Sequence, residues 1–142
     1  MSVGTMAKML HFTPEEANAA LPEVRALVER LVDERRALVA LGEELEAMQA
    51  LIGGNGGSLD AGRVGELQEA VARAAAGLAG LVDELHELGV QVKDLDRGLI
   101  DFPASHPGSG EPVLLCWELG EPAVAHWHDL EEGFAGRKPL PF

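Results

Sequence analysis

From Val24 the apolar positions fall three and four apart, through Val24, Leu27, Leu31, Leu38, Leu41, Leu45, Met48 and Ile52. That spacing places them on one stripe of a helix. One slot of the stripe, Glu34, carries a charge. A second run is more regular: Val64, Leu67, Val71, Ala74, Leu78, Leu81, Leu85, Leu88, Val92 and Leu95. Between the runs, GGNGGS at 53–58 breaks helical structure, and Ser58 or Asp60 can cap the second helix. Two such seams joined by a short glycine loop predict an antiparallel helical hairpin over about residues 13–97, packed like a coiled coil. The thin stretch Ala74, Ala75, Ala76, Gly77 and Gly80 then lies opposite the region of Glu34 to Leu38.

The hairpin's ends carry their own signals. In TPEEANAALPEV, Thr13 suits the N-cap and Pro14 the first helical position, while Glu16 completes a Thr-x-x-Glu capping box. Pro22 cannot donate an interior backbone bond, so a short first helix that kinks before the main one is expected. Gly98 suits the position just past the second helix, with Lys93 and Arg97 in its last turn. Beyond it the period changes to two. GLIDF (98–102), PVLLCWEL (112–119) and AVAHWHD (123–129) read as three short strands, and their short connections favour an antiparallel meander. The Gly- and Pro-rich tail 130–142 is expected to wrap back irregularly. The expected architecture is therefore α+β in a single domain, 9–142, behind a flexible N-terminus, 1–8.

Composition narrows what such a fold can do. The chain has 142 residues, 46% of them hydrophobic, and is long enough for one packed core. Its 11 Lys and Arg face 24 Asp and Glu, for a formal charge of −13, and the basic residues are interleaved with acids. Nucleic acid and anionic membrane surfaces need a positive footprint and are disfavoured as partners; a basic protein or a bound cation fits better. One cysteine, Cys116, cannot form an internal disulfide and suits a reducing compartment. No apolar run approaches the roughly 18 residues of a membrane span, and the start fails as a secretory signal. A cytoplasmic location is the expectation.

Candidate chemistry centres on AHWHD, 125–129, where alternation places His126 and His128 on one strand face. Two histidines so spaced can converge on a metal, but a third ligand has to come from the neighbouring strand, and register decides it. A two-residue turn at Gly120-Glu121 puts Val113, Leu115 and Trp117 on the histidine face. A longer loop through Pro122 puts Cys116 and Glu118 there instead. DELH, Asp83 to His86, has the acid-x-x-His spacing of helical di-iron ligands but falls off the seam of Leu81, Leu85 and Leu88, so it is expected to face water. DLDRG, 94–98, opens like a calcium loop, yet the twelfth position is Ser105 and not Glu; a helix end is the better reading. No nucleophile motif or dinucleotide fingerprint occurs. GGNGG lacks the Lys-Ser/Thr of a phosphate loop, so no nucleotide is expected.

Taken together, TPEEANAALPEV, GVQVKDLDRGLIDFPA, LLCWELGEP and WHDLEEGFAGRKPL resemble a bacterial family catalogued as domain of unknown function 2203, from about Leu10 to Leu140. The resemblance implies recurrent residues at Glu16, Ala17 and Asn18; at Gly98, Leu99, Asp101, Phe102 and Pro103; and at Trp117, Gly120 and Glu121. It implies others at Trp127, His128, Gly133, Phe134 and Arg137. It also implies an aromatic where this chain has His126, which leaves His128 as the histidine to follow. The family name carries no activity.

Hairpin topology brings the start of the first helix, the end of the second and the sheet to one end. Glu16, Asn18, Asp94, Asp101, His128, Glu131 and Arg137 can converge there. One reading is a small acid/base or metal site, with His128, Asp101 and Arg137 as catalytic candidates. Its metal ligands are His128, Asp101 and Glu16, then His126, Glu118 and Cys116, and a divalent ion is the cofactor such residues suit. The other is a polar buckle, with Asp101 capping a helix or pairing Arg137 and His128 bonded to a backbone carbonyl. A lone hairpin buries one stripe of each helix, so a homodimer is expected. The leading functional expectation is a non-enzymatic, oligomerising interaction module; the alternative is a metal-binding protein or metal-dependent enzyme at the hairpin's base.

Overall fold

The computed structural model describes residues 11–54 and 61–142. Helix α1 runs Pro14–Gly54 and α2 runs Ala61–Glu87; strands β1 (Gln91–Asp94), β2 (Leu99–Ser105), β3 (Pro112–Glu118), β4 (His126–Asp129) and β5 (Lys138–Pro139) follow, with a 3-10 turn at Phe134–Gly136 before β5. The strands form one antiparallel sheet in chain order. A long helical hairpin followed by an antiparallel meander is the expected α+β fold. The meander has five strands where three were expected. The flexible N-terminus expected at 1–8, the end of the glycine loop and the Ser58 or Asp60 cap lie outside the described residues.

The capping box forms as the sequence predicts. The Thr13 N–H donates to Glu16 Oε1 at 2.9 Å and the Glu16 N–H to Thr13 Oγ1 at 3.0 Å, satisfying two donors of the first turn. Pro22, however, does not divide the helix. It lies on the exposed face, and Ala17, Leu21 and Val24 around it are buried in the core. Packing on both sides thus carries α1 through the missing backbone bond as one 41-residue element.

The second helix ends at Glu87, well before the expected 97. Gly89, at φ 90°, adopts the left-handed conformation that closes helices. The Gly89 N–H donates to the His86 carbonyl and the Val90 N–H to the Leu85 carbonyl, both at 2.9 Å. This is a Schellman closure, and Leu85 and Val90 are both fully buried beside it. Val92 and Leu95 kept the helical spacing because β1 and the turn after it pack on the same core. Gly98 (φ 67°) accordingly belongs to the β1–β2 turn and Asp94 ends β1, so neither marks a helix end. Asp94 Oδ1 accepts the N–H groups of Asp96 and Arg97 at 2.9 and 3.0 Å, an Asx turn.

One sheet face carries Ile100, Phe102, Ala104, Val113, Leu115 and Trp117, all buried against Leu21, Val24, Val28, Leu31, Leu81 and Leu85 of the helices. The thin part of α2 does meet Glu34: a Cβ built on Gly77 would stand 2.8 Å from its carboxylate. Glu34 pairs loosely with Arg30, at 3.8 Å, while Arg35 reaches Asp96 and Arg36 reaches Asp33. Asp83 and His86 are exposed, as their place off the seam predicts. The tail wraps back as expected and supplies the fifth strand, where Trp127 pairs with Lys138.

Candidate metal centre

The opposite sheet face holds the chemistry. Asp101 on β2 stands directly across from Cys116 on β3; Cys116 pairs in turn with His126 on β4, and Leu114 with His128. Residues opposite one another in an antiparallel ladder share a face. The register therefore puts Cys116 and Glu118 on the histidine face, the longer-loop alternative. Seven residues, 119–125, separate β3 from β4.

Asp101, Cys116 and His128 converge there. Their exposures are 2%, 0% and 3%, and one ligand atom from each lies within 4.8 Å of the others. His128 Nδ1 is 2.8 Å from the Asp129 carbonyl oxygen, which can only accept, so Nδ1 carries a hydrogen. Its other nitrogen, Nε2, is 3.2 Å from Asp101 Oδ1, and one proton lies between them. The Cys116 sulfur lies within 4.8 Å of a ligand atom of each. Burial raises the Asp101 carboxyl above the usual range, opposed by the neighbouring His128 and then Lys93. Burial first, and then the Asp101 charge, push the Cys116 thiol up to about 12. Without a metal, Cys116 is therefore a neutral thiol and no nucleophile.

The other candidates are engaged elsewhere. Glu16 is held in the capping box at the start of α1. Asn18 clamps the loop before β4: its Oδ1 accepts the Val124 N–H at 2.8 Å and its Nδ2 donates to the Val124 carbonyl at 3.1 Å. Glu118 is gripped by Arg97 through two bonds of 3.0 and 3.1 Å. Arg137 Nη2 donates to Glu121 Oε2 at 2.7 Å and to His126 Nδ1 at 2.6 Å, and its guanidinium lies 4.5 Å from the centre of the Phe134 ring. Asp94 serves its turn, and Glu131 is exposed. Of the expected convergence, Asp101 and His128 meet; Arg137 and His126 form a second group with Glu121. Of the polar buckle, the bond from His128 to a backbone carbonyl is present, while Asp101 pairs with His128 and not with Arg137.

Asp101 and His128 also line a small cavity of about 130 Å³ with Lys93, Leu99, Leu114, Leu130, Gly133 and Phe134. Lys93 was not foreseen as a site residue because β1 was read as helix. The period-two pattern after Gly89, in VQVKD, was the available signal. It sits where the β1–β2 register shifts between Val92 and Asp94, a bulge of the kind that redirects a side chain.

Fold and site together define a helical hairpin closed by a meander whose outer face carries a buried Asp-Cys-His cluster. The family described as an uncharacterized conserved protein, DUF2203, matches residues 11–140, and the chain belongs to it. No curated protein and no solved structure gives a significant match. Among the described residues no helix is long and apolar enough to cross a membrane.

Proposed function

We propose that this protein binds one divalent transition-metal ion through Asp101, Cys116 and His128. The observation that carries this reading is the cluster itself: three buried side chains from three adjacent strands, each offering one ligand atom, within 4.8 Å. Ligands about 2.0–2.3 Å from a tetrahedral zinc stand roughly 3.3–3.8 Å apart, so only small movements are needed. His128 already donates its Nδ1 hydrogen to a backbone carbonyl, the usual support for an imidazole that ligates through Nε2. Charge also balances. The cluster without metal holds a thiol proton and the proton between Asp101 and His128; a dication that displaces both leaves the buried charge unchanged. Thiolate and imidazole donors favour zinc or ferrous iron over magnesium or calcium.

Zinc titration of the chelator-treated chain, followed by calorimetry in buffers of different ionisation enthalpy, tests this reading. One zinc per chain with release of about two protons supports it. Release unchanged in Cys116→Ala refutes the thiolate ligand.

A second reading, an oligomerising interaction module, is favoured by the arm beyond the sheet. Leu41, Leu45 and Met48 are only half-buried there, Val39 is 39% and Leu51 57% exposed. A two-helix arm with so little cover gains from burial against a second copy. Sedimentation equilibrium decides it: a dimer lost in Val39→Glu/Leu51→Glu supports this reading, and a monomer at all concentrations removes it.

A further inference from the structure

We infer that the centre is open, and that its fourth position takes a small monoanion from the cavity beside it, held by Lys93. The inference rests on the metal reading and names what the same site binds. Structural zinc sites have four protein ligands, whereas sites with three keep a position for an exogenous one. Three are offered here among the described residues. Glu118 and His126 share the face but are held by Arg97 and Arg137, so neither completes the set.

The cavity sets where and how large that ligand is. Asp101 and His128 belong to its wall and Cys116 does not, so an ion among the three is reached from the side away from the thiolate. Its volume, about 130 Å³, equals roughly four water molecules at about 30 Å³ each. That admits a carboxylate- or bicarbonate-sized molecule.

Charge sets the sign. With two protons displaced by a dication the ligand cluster is neutral, and Lys93 is the basic residue in the cavity wall; it has no ion-pair partner among the described residues. Phe134, also in the wall, has the guanidiniums of Arg97 and Arg137 at 4.4 and 4.5 Å from its ring centre. Those two cations are neutralised by Glu118 and Glu121, so Lys93 supplies the net attraction. A monoanion on the ion, facing that ammonium, leaves the site balanced.

Cobalt(II) loaded into the full chain tests both levels separately. A near-ultraviolet sulfur-to-cobalt charge-transfer band reports the thiolate ligand, and the visible d–d bands report the fourth position. The expected result is a saturable change of the d–d bands on titration with azide. Lys93→Gln weakens azide affinity about tenfold or more without changing cobalt affinity, and Lys93→Arg restores most of it. A charge-transfer band with d–d bands that azide never alters overturns the open position and leaves the metal reading standing. Azide affinity unchanged in Lys93→Gln overturns the role of Lys93. No charge-transfer band in the wild-type chain overturns the metal reading and this inference with it.

Discussion

Removing His128 from the metal-free protein strands a carboxylate, and the cost follows from the geometry. Asp101 is 2% exposed, and its charged oxygen faces Nε2 of the imidazole at 3.2 Å. In His128→Ala the carboxylate loses that partner and escapes by keeping a proton. Holding a proton at pH 7 on a carboxyl whose ordinary value is 3.8 costs about 4.4 kcal/mol, at about 1.36 kcal/mol per unit. That figure caps the electrostatic penalty, since a dearer charged state would simply be avoided. It agrees with the roughly 3–5 kcal/mol typical of a broken buried pair. In a chain of this length the loss is roughly 10–20 °C in Tm.

Linkage gives the sign with pH. A carboxyl raised in the folded state stabilises that state fully below its unfolded value, and the stabilisation is lost as pH rises. His128→Ala is therefore expected to be most stable near pH 4 and to lose up to about 1.4 kcal/mol per unit above it. Adding Asp101→Asn removes the stranded charge, so the double variant should be more stable at pH 7 than His128→Ala alone, by about 2 kcal/mol. Urea unfolding followed by circular dichroism with chelator present measures all three chains. A loss below about 1 kcal/mol in His128→Ala, or additive losses in the double variant, would refute the coupled pair.

Three further outcomes are expected. Metal-free wild type should lose about 1.4 kcal/mol between pH 8 and 10, because an unfolded thiol ionises near 9.0 while the buried one holds its proton to about 12; Cys116→Ala removes that slope in urea titrations. Gly98→Ala should cost roughly 2–4 kcal/mol, because φ is 67° and the new Cβ would stand 2.9 Å from Leu119 Cβ and 3.0 Å from Val28 Cγ1; a Tm within about 2 °C of wild type would contradict the close approach. Asn18→Ala leaves both polar groups of Val124 without their side-chain partners and should cost about 2 kcal/mol, with faster amide exchange at Val124 as the local signature.

What the chain disclosed in advance was local or periodic. The capping box at Thr13 and Glu16 was readable because both partners lie within one turn, and the seams were readable because leucines repeat at the spacing that packing requires. The end of α2 was hidden, since Val92 in β1 and Leu95 in the turn after it continue the helical spacing and pack on the same core. Pro22 misled for a related reason: a propensity was overridden by packing on both sides of it.

The site was half legible. Asp101 and His128 were named together from the hairpin topology, but Cys116 stood low because its face depended on the register across a seven-residue loop. That register is fixed by contacts distant in sequence. The Asn18 clamp on Val124 and the β4–β5 pairing both bear on it, and neither has a local signature. Glu16 and Arg137 were given to the site as spare charges. The structure employs both elsewhere, Glu16 within its own helix turn and Arg137 between Glu121 and His126.

Elemental analysis of the chain, reconstituted with zinc and desalted, reads directly whether Asp101, Cys116 and His128 hold a metal. One zinc per chain is expected, retained in His126→Ala and Glu16→Gln and lost in Cys116→Ala and His128→Ala when both remain folded by circular dichroism. Wild-type protein that emerges without zinc, or zinc that stays bound after both Cys116 and His128 are replaced, would contradict metal binding by these residues.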